Sequence, residues 1–441
     1  MFTSKLSGNK GKVAQNVVWA ISGKLANMAG ALFVGILVAR YLGPKNYGLL
    51  NYVISYVIIF STIADFGMPL IEVRELSRDS DNHRKILGTA FFCHISFAFV
   101  AYSILCLTLW VSDADSFTSL MIMVYGLTLF TQSFNVIRNY FTSIIENKYV
   151  VKSEMARVAI GAVIKIVLLW MKMPIEYFIV AQLFDTVLVS SGYIISYKTK
   201  GFSILEWTFD KQFAKYLLRE SFPLVLSGAA VVIYQRIDQV MIGNMIDKES
   251  VGYFATAGKF LDLILFLPII ITQTVVPLVI QAKDKGKEEY IKKQKQMVGI
   301  VVWIAILLTI ACSLSSYWLV YFTYGENYLQ AVSVLQIMAW KTLGMALSSS
   351  AGQIIIIERI QKWAVLKNVL GCFCCVILNY IFLPTFGIKG AAFITIVTTL
   401  VAGWFGNLLI PSYRPIFKLQ TYGVFCGWKE LIYFKDIIKN K

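Results

Sequence analysis

Apolar residues run along this chain in long unbroken blocks separated by short polar turns. They do not alternate with polar ones as half-buried strands require. A bilayer core of about 30 Å is crossed by about 20 apolar helical residues. Twelve blocks reach that length, near 14–39, 47–70, 86–111, 117–143, 150–171, 175–197, 218–243, 250–281, 294–321, 329–352, 363–384 and 388–410. The pattern therefore predicts an all-α membrane protein. Within 250–281, Pro268 and Pro277 predict a kink, because proline removes a helical hydrogen bond.

The turns carry the orientation signal. Turns on the side of the N-terminus hold 29 Lys and Arg, whereas the opposite side holds five, Arg40, Lys45, Lys172, Lys248 and Lys389. The positive-inside rule then places both termini in the cytoplasm. The start, MFTSKLSGNKGK, is basic and polar, and the block behind it reads as a retained first helix. Composition agrees with lipid as the main solvent: 57% hydrophobic, 15% charged, mean hydropathy +0.67. A net charge of +16 suggests nucleic acid in a soluble protein, but here it is spread over loops between spans, so no nucleic-acid partner is expected.

Two outer turns look alike. LGPKNYGLLNY (42–52) and IDKESVGYFAT (246–256) each end in a glycine that opens a new helix, Gly48 and Gly252. Six spans separate them, an even number, so both copies keep the same orientation and the repeat is parallel. The expected organisation is an N-terminal six-helix lobe at 1–197, a basic cytoplasmic link at 198–217 and a second lobe at 218–410. A basic tail follows at 411–441, in which CGWKELIYFKDII (426–438) reads as an amphipathic helix on the cytoplasmic surface.

Setting aside the 29 and five counted with the turns, seven of the 41 cations remain within the spans: Lys24, Arg138, Arg157, Lys165, Arg236, Lys259 and Lys341. Four acids lie clearly within them, Asp65, Asp185, Asp238 and Asp262. Each charge at mid-bilayer costs at least about 2.5–3.5 kcal/mol, so these groups should face partners, water or an anionic ligand. Arg138 and Arg157 lie close enough to the cytoplasmic face to snorkel. Lys165 has Asp185 as a candidate partner on the next span. Arg236, Asp238, Lys259 and Asp262 lie at similar depth and read either as a neutralised cluster joining helices 7 and 8 or as part of a binding surface. Lys24 and Lys341, one in each lobe, have no evident acidic partner, and two such cations facing one cleft would attract phosphate. The candidate substrate site is therefore Lys24, Arg236, Lys259 and Lys341, with Asp238, Asp262, Lys165 and Asp185 as charge partners or ion-coupling groups.

Other chemistries find little support. The outer loops are short, there is no Walker A motif, and His83 and His94 make no metal pattern. The seven cysteines lie in or beside apolar blocks and read as free thiols, and the CFCC cluster at 372–375 lacks zinc-type spacing. No catalytic nucleophile stands out, so neither an enzyme nor a cofactor is expected.

Several stretches resemble a known family. ARYLGPKNYGLLNY (39–52), IADFGMP (63–69), FPLVLSGAAVVIYQRIDQVMIGNMIDKESVGYFATAGKF (222–260) and FGIKGAA (386–392) are similar to the Wzx-type polysaccharide-unit flippases. These are O-antigen transporters of the multidrug/oligosaccharidyl-lipid/polysaccharide exporter superfamily. Residues 222–260 are the most specific, with R-x-D at Arg236 and Asp238 and A-x-K ending at Lys259. The resemblance implies a bacterial inner-membrane carrier with two six-helix lobes around a central cationic cavity. Its implied cargo is an undecaprenyl-pyrophosphate-linked oligosaccharide, moved to the periplasmic leaflet by alternating access. Membrane lipids and other polysaccharide-assembly membrane proteins are the implied partners. Protonation of Asp238 or Asp262 is one link to a proton or sodium gradient. Related lipid II flippases carry two further helices for the lipid tail; this chain reads as stopping at twelve, so no dedicated tail groove is expected.

Three alternatives stay open. A drug/cation antiporter of the same superfamily should hold more interior carboxylates than lysines. A major-facilitator-type transporter should carry a DRxGRR-like turn where this chain has EVRELSRDSD. A membrane polymerase or glycosyltransferase should have larger outer loops or a nucleotide-sugar domain.

Overall fold

The computed structural model describes the backbone of residues 9–112 and 115–432, with the side chains of residue 28 and of residues 30–431 in those ranges. Helices, and no strand, make up the regular structure of the described residues. The chain divides into two compact units, Met1–Val232 and Ile233–Lys441.

The first unit holds α1 (Asn9–Asp65), α2 (Met68–Arg78), α3 (His83–Val111), α4 (Ser116–Gly126), α5 (Thr128–Thr131), α6 (Asn135–Ser143), α7 (Asn147–Trp170) and α8 (Ile175–Thr199). It also holds the first part of α9 (Lys211–Met245). The second unit holds the rest of α9, α10 (Lys248–Lys285), α11 (Lys287–Tyr324), α12 (Gln330–Met338) and α13 (Lys341–Ile357). It continues through α14 (Ala364–Leu400), a π turn at Val401–Phe405, α15 (Gly406–Leu409), α16 (Arg414–Cys426) and α17 (Trp428–Ile432).

Nine stretches of the described residues are long and apolar enough to cross a membrane, against the twelve blocks read from sequence. The difference has a physical origin at three places. Helix α1 runs on through a non-helical Gly43 (φ 70°) followed by Pro44, and α14 through Gly387 (φ 58°). At 1.5 Å per residue, the α1 arms 9–42 and 44–65 are about 51 and 33 Å long, so each arm can make a crossing of its own. Helix α7 is the third place: Glu154, Arg157 and Lys165 leave its last 18 residues too charged to read as apolar. The kink expected in α10 is not a break, because the helix continues through Pro268 and Pro277 without a non-helical residue.

The boundary between the units falls inside α9 rather than in the basic link 198–217. The reason is local. Residues 201–210 are tied to α3 by Lys85–Asp210 (2.5 Å) and Arg84–Glu206 (3.0 Å), and the amide of Asp210 donates to Thr89 Oγ1 (3.0 Å). The Lys85 ammonium and then the amide of Phe213 hold the Asp210 carboxyl below its usual range. This tie is present above the ordinary carboxylate pKa and is lost as pH falls through the depressed one. The core of this unit gathers Leu76, Leu87, Phe141, Tyr197 and Leu217.

Past residue 410 the chain departs from the sequence reading of a surface tail. Helix α16 packs along α11 through small residues, Gly423 meeting Val298 and Gly427 meeting Gly299. Residues 433–441 lie outside the described residues. A Cβ on Gly427 would sit 2.7 Å from Gly299 Cα, so the helices can approach this closely only without side chains there. Gly427→Val is expected to destabilise this seam by about 1–3 kcal/mol through overpacking. A thermal-unfolding scan in detergent checks it; an unchanged midpoint would count against the seam.

Candidate functional site

The two units each contain a set of charged side chains within membrane-length helices, and the sets differ in kind. In the second unit Asp238 of α9 is 1% exposed. Its Oδ1 accepts from Asn379 Nδ2 (2.7 Å) and Cys375 Sγ (3.2 Å), both on α14. Residues 375 and 379 are one helical turn apart, so both side chains fall on one face of α14. Lys341 lies within electrostatic range of Asp238. It opens α13, which follows α12 through Ala339 and Trp340, both right-handed helical. Asp238 is thus engaged with α13 and α14 rather than with the Lys259 group, and Lys341 has an acidic neighbour that the sequence did not reveal.

Lys259 and Asp262 sit one turn apart on an exposed strip of α10, with the half-buried Arg236 in electrostatic range of Lys259. The three groups carry two positive charges and one negative. Among the described residues none of Arg236, Lys259 or Lys341 forms an ion pair within 4.0 Å. Lys24 lies outside the described residues as far as its side chain is concerned. A further cation is Lys367, near the start of the block 363–384. It is 5% exposed near the start of α14, against Gly406.

In the first unit the charges are paired. Lys165 of α7 and Asp185 of α8 form a close ion pair with little solvent access. Gly161 makes room for it, since a Cβ there would lie 2.2 Å from Asp185 Oδ1. Lys165→Met should therefore strand a buried carboxylate and destabilise the unit by about 3–5 kcal/mol. Adding Asp185→Asn should recover most of the loss. Denaturant midpoints of the single and double variants test this, and equal midpoints for Lys165→Met and wild type would refute the pair's importance.

A second buried network went unread. His94 of α3, 3% exposed, contacts Glu72 Oε1 of α2 through Nε2 (2.7 Å) and the Ala64 carbonyl through Nδ1 (3.1 Å). Asn139 of α6 donates to Glu72 Oε2 (2.7 Å). The sequence placed Glu72 in a loop and weighed His94 only as a metal ligand, and no signal in spacing would have joined them.

All seven cysteines are free, and no metal-type cluster of three or more His, Cys, Asp or Glu occurs among the described residues. In both units one span changes its hydrogen-bonding pattern midway while its backbone stays right-handed helical, near residues 127–134 in the first and at 339–340 in the second.

The geometry has counterparts among known proteins. A family profile described as polysaccharide biosynthesis protein matches residues 13–283, and one described as MatE matches 223–381. A capsular polysaccharide biosynthesis protein, CapF of Staphylococcus aureus, is 21% identical over 235 residues, 53% of this chain. The chain spans 58% of the length of that curated relative. Among solved structures, the lipid II flippase MurJ in an inward closed conformation superposes with a TM-score of 0.69 at 14% identity, over 95% of this chain and 93% of that one. An inward-facing multidrug resistance MATE family transporter of the MOP superfamily gives 0.64 at 15% identity, over 88% and 96%. The chain is thus a multi-pass membrane protein with the fold of MATE transporters and MurJ, and it belongs to the family described as polysaccharide biosynthesis protein.

Proposed function

We propose that this protein is a flippase. Its cargo on this reading is an undecaprenyl-pyrophosphate-linked polysaccharide repeat unit of O-antigen type. It moves the unit from the cytoplasmic to the periplasmic leaflet of a bacterial inner membrane by alternating access, with both termini cytoplasmic. The observation that carries the reading is the surplus of cations in the spans of the second unit, where Arg236, Lys259 and Lys341 lack close ion pairs among the described residues. A pyrophosphate and a chain of hydroxyls cannot enter hydrocarbon without losing their hydration, which costs several kcal/mol for each unpaired group. Ammonium and guanidinium groups compensate the phosphate charge, and Arg236 adds a fork of donors suited to two oxygens at once.

Asp238 is the group we assign to ion coupling. It is buried, Lys341 lies within its electrostatic range, and the neighbouring Asn379 Oδ1 is buried without a hydrogen-bond donor. Those oxygens suit a proton or a sodium ion. A drug/cation antiporter, the competing reading, is disfavoured by the same surplus, because cationic cargo would be repelled by it. Capsular or O-antigen assembly proteins of the same membrane are the expected partners.

The test is deletion of the gene in its native strain. Lipid-linked repeat units should accumulate on the cytoplasmic side and surface polysaccharide should be lost, with restoration by the plasmid-borne gene. Accumulation on the periplasmic side, or no change in either pool, would remove the flippase reading.

A further inference from the structure

The network around His94 implies a site that the cation-based reading does not use. The Ala64 carbonyl can only accept, so Nδ1 of His94 must carry a hydrogen. Nε2 then faces Glu72 Oε1 at 2.7 Å. That contact is a hydrogen bond only if one proton lies between the two atoms, held as imidazolium with carboxylate or as imidazole with carboxylic acid. Without it a lone pair would oppose an anionic oxygen in a site that is 3% and 0% exposed. The far oxygen of Glu72 is filled by the Asn139 amide, which is itself only a donor there. The bonding therefore closes around one proton.

The element this proton holds is mechanically distinct. Helix α2 is cut off from α1 at Phe66 (φ 43°) and Gly67 (φ 64°), the first a bulky side chain in the left-handed region. Its far end reaches solvent, where Arg74 meets Tyr216 Oη (2.8 Å) and Glu220 (3.1 Å) of α9. The titratable groups facing the site are Asp65 from α1, Glu72 from α2, and His94 and Cys93 from α3, with the neutral Asn139 from α6. Asp65, one residue before the break, adds a second acid within electrostatic range of His94.

We infer that His94 and Glu72 form a proton-binding site whose single proton latches α2 onto α3 and α6, and that releasing the proton frees α2 to move about the break at 66–67. The site lies in the first unit and is separate from Asp238. It does not depend on which cargo is carried.

The full-length protein in lipid nanodiscs supplies the test. The chain has two histidines, so a nitrogen-15 histidine spectrum contains two residues, and His83→Gln leaves His94 alone. His94 should show Nδ1 protonated at every pH, with Nε2 exchanging its proton with Glu72. An unprotonated Nδ1 would overturn the assignment without any change at the site itself. Hydrogen exchange of 68–78, normalised to α8, reads the latch. One linked proton lowers protection by up to about tenfold per pH unit once it is released. In Glu72→Gln the amide can donate to Nε2 while its oxygen still accepts from Asn139, with no proton needed. Protection in that variant should change by less than about twofold over the same range. Equal pH slopes in wild type and Glu72→Gln, or a flat wild-type profile, would overturn the latch.

Discussion

Lys341→Ala is expected to reduce export of the polysaccharide unit by at least about 100-fold, equivalent to about 2.8 kcal/mol, while protein level falls no more than about twofold. The substitution removes two things together. It deletes a cation midway along the span 330–357, and it leaves the buried Asp238 without the positive charge in its range. At an effective dielectric of about 20, opposite charges about 4–8 Å apart attract by about 2–4 kcal/mol. The double variant Lys341→Ala with Asp238→Asn separates the causes. Where the lysine only neutralises Asp238, the double variant regains transport; where it meets the cargo phosphates, the double variant stays inactive. Lys341→Arg should retain part of the activity, since charge is kept. Wild-type export by Lys341→Ala would exclude this residue from the transport path altogether.

Gln420→Leu is expected to destabilise the second unit by breaking a buried hydrogen-bond network. Gln420 of α16 is fully buried, and its Nε2 donates to Gly403 O (2.7 Å) and Leu347 O (2.9 Å). Its Oε1 accepts from Asn407 Nδ2 (2.8 Å). The Gly403 carbonyl, inside the π turn, also accepts from Asn407 Nδ2 (3.0 Å), so glutamine, asparagine and this carbonyl form one closed network. Leucine roughly matches the volume but strands the Asn407 amide hydrogen that Oε1 accepts and removes a donor from each carbonyl, a loss of about 1–3 kcal/mol. Gln420→Glu should be worse than leucine, since a carboxylate would direct oxygens at carbonyl oxygens. Thermal midpoints in detergent give the ranking, and a Gln420→Leu midpoint within about a degree of wild type would contradict it.

What the sequence disclosed and what it concealed follow from the range of the interactions. Hydropathy is a property of contiguous residues, so the spans were legible, and so was the presence of charge inside them. Lys165 and Asp185 could be matched because their helices are consecutive. Asp238 could not be matched with Asn379, 141 residues away, because helix neighbours in a bundle are set by tertiary packing. Glu72 was misread for a different reason. Its surroundings, EVRELSRDSD, look like a charged loop, yet one face of α2 turns Ile71, Glu72 and Leu76 inward. Lys367 lies at the edge of the block 363–384, where hydropathy does not tell a cation at a span end from one that α14 buries. The seam of Gly423 and Gly427 on Gly299 left no trace in hydropathy, since glycine contributes shape there and almost no apolar area.

The widened turn at Val401–Phe405 has an implication for length variation in this chain. Such a turn holds one residue more than the ordinary helix needs. Excising a single residue there would let the backbone relax to regular geometry with everything downstream facing nearly as before, because four α residues turn the chain about as far as five π residues. The same excision in the regular helix before the segment would swing the following residues by about 100° and turn Asn407 away from Gln420. Single-residue deletions should therefore be tolerated within this segment better than in the regular helix before it, which makes it a register buffer for the end of α14.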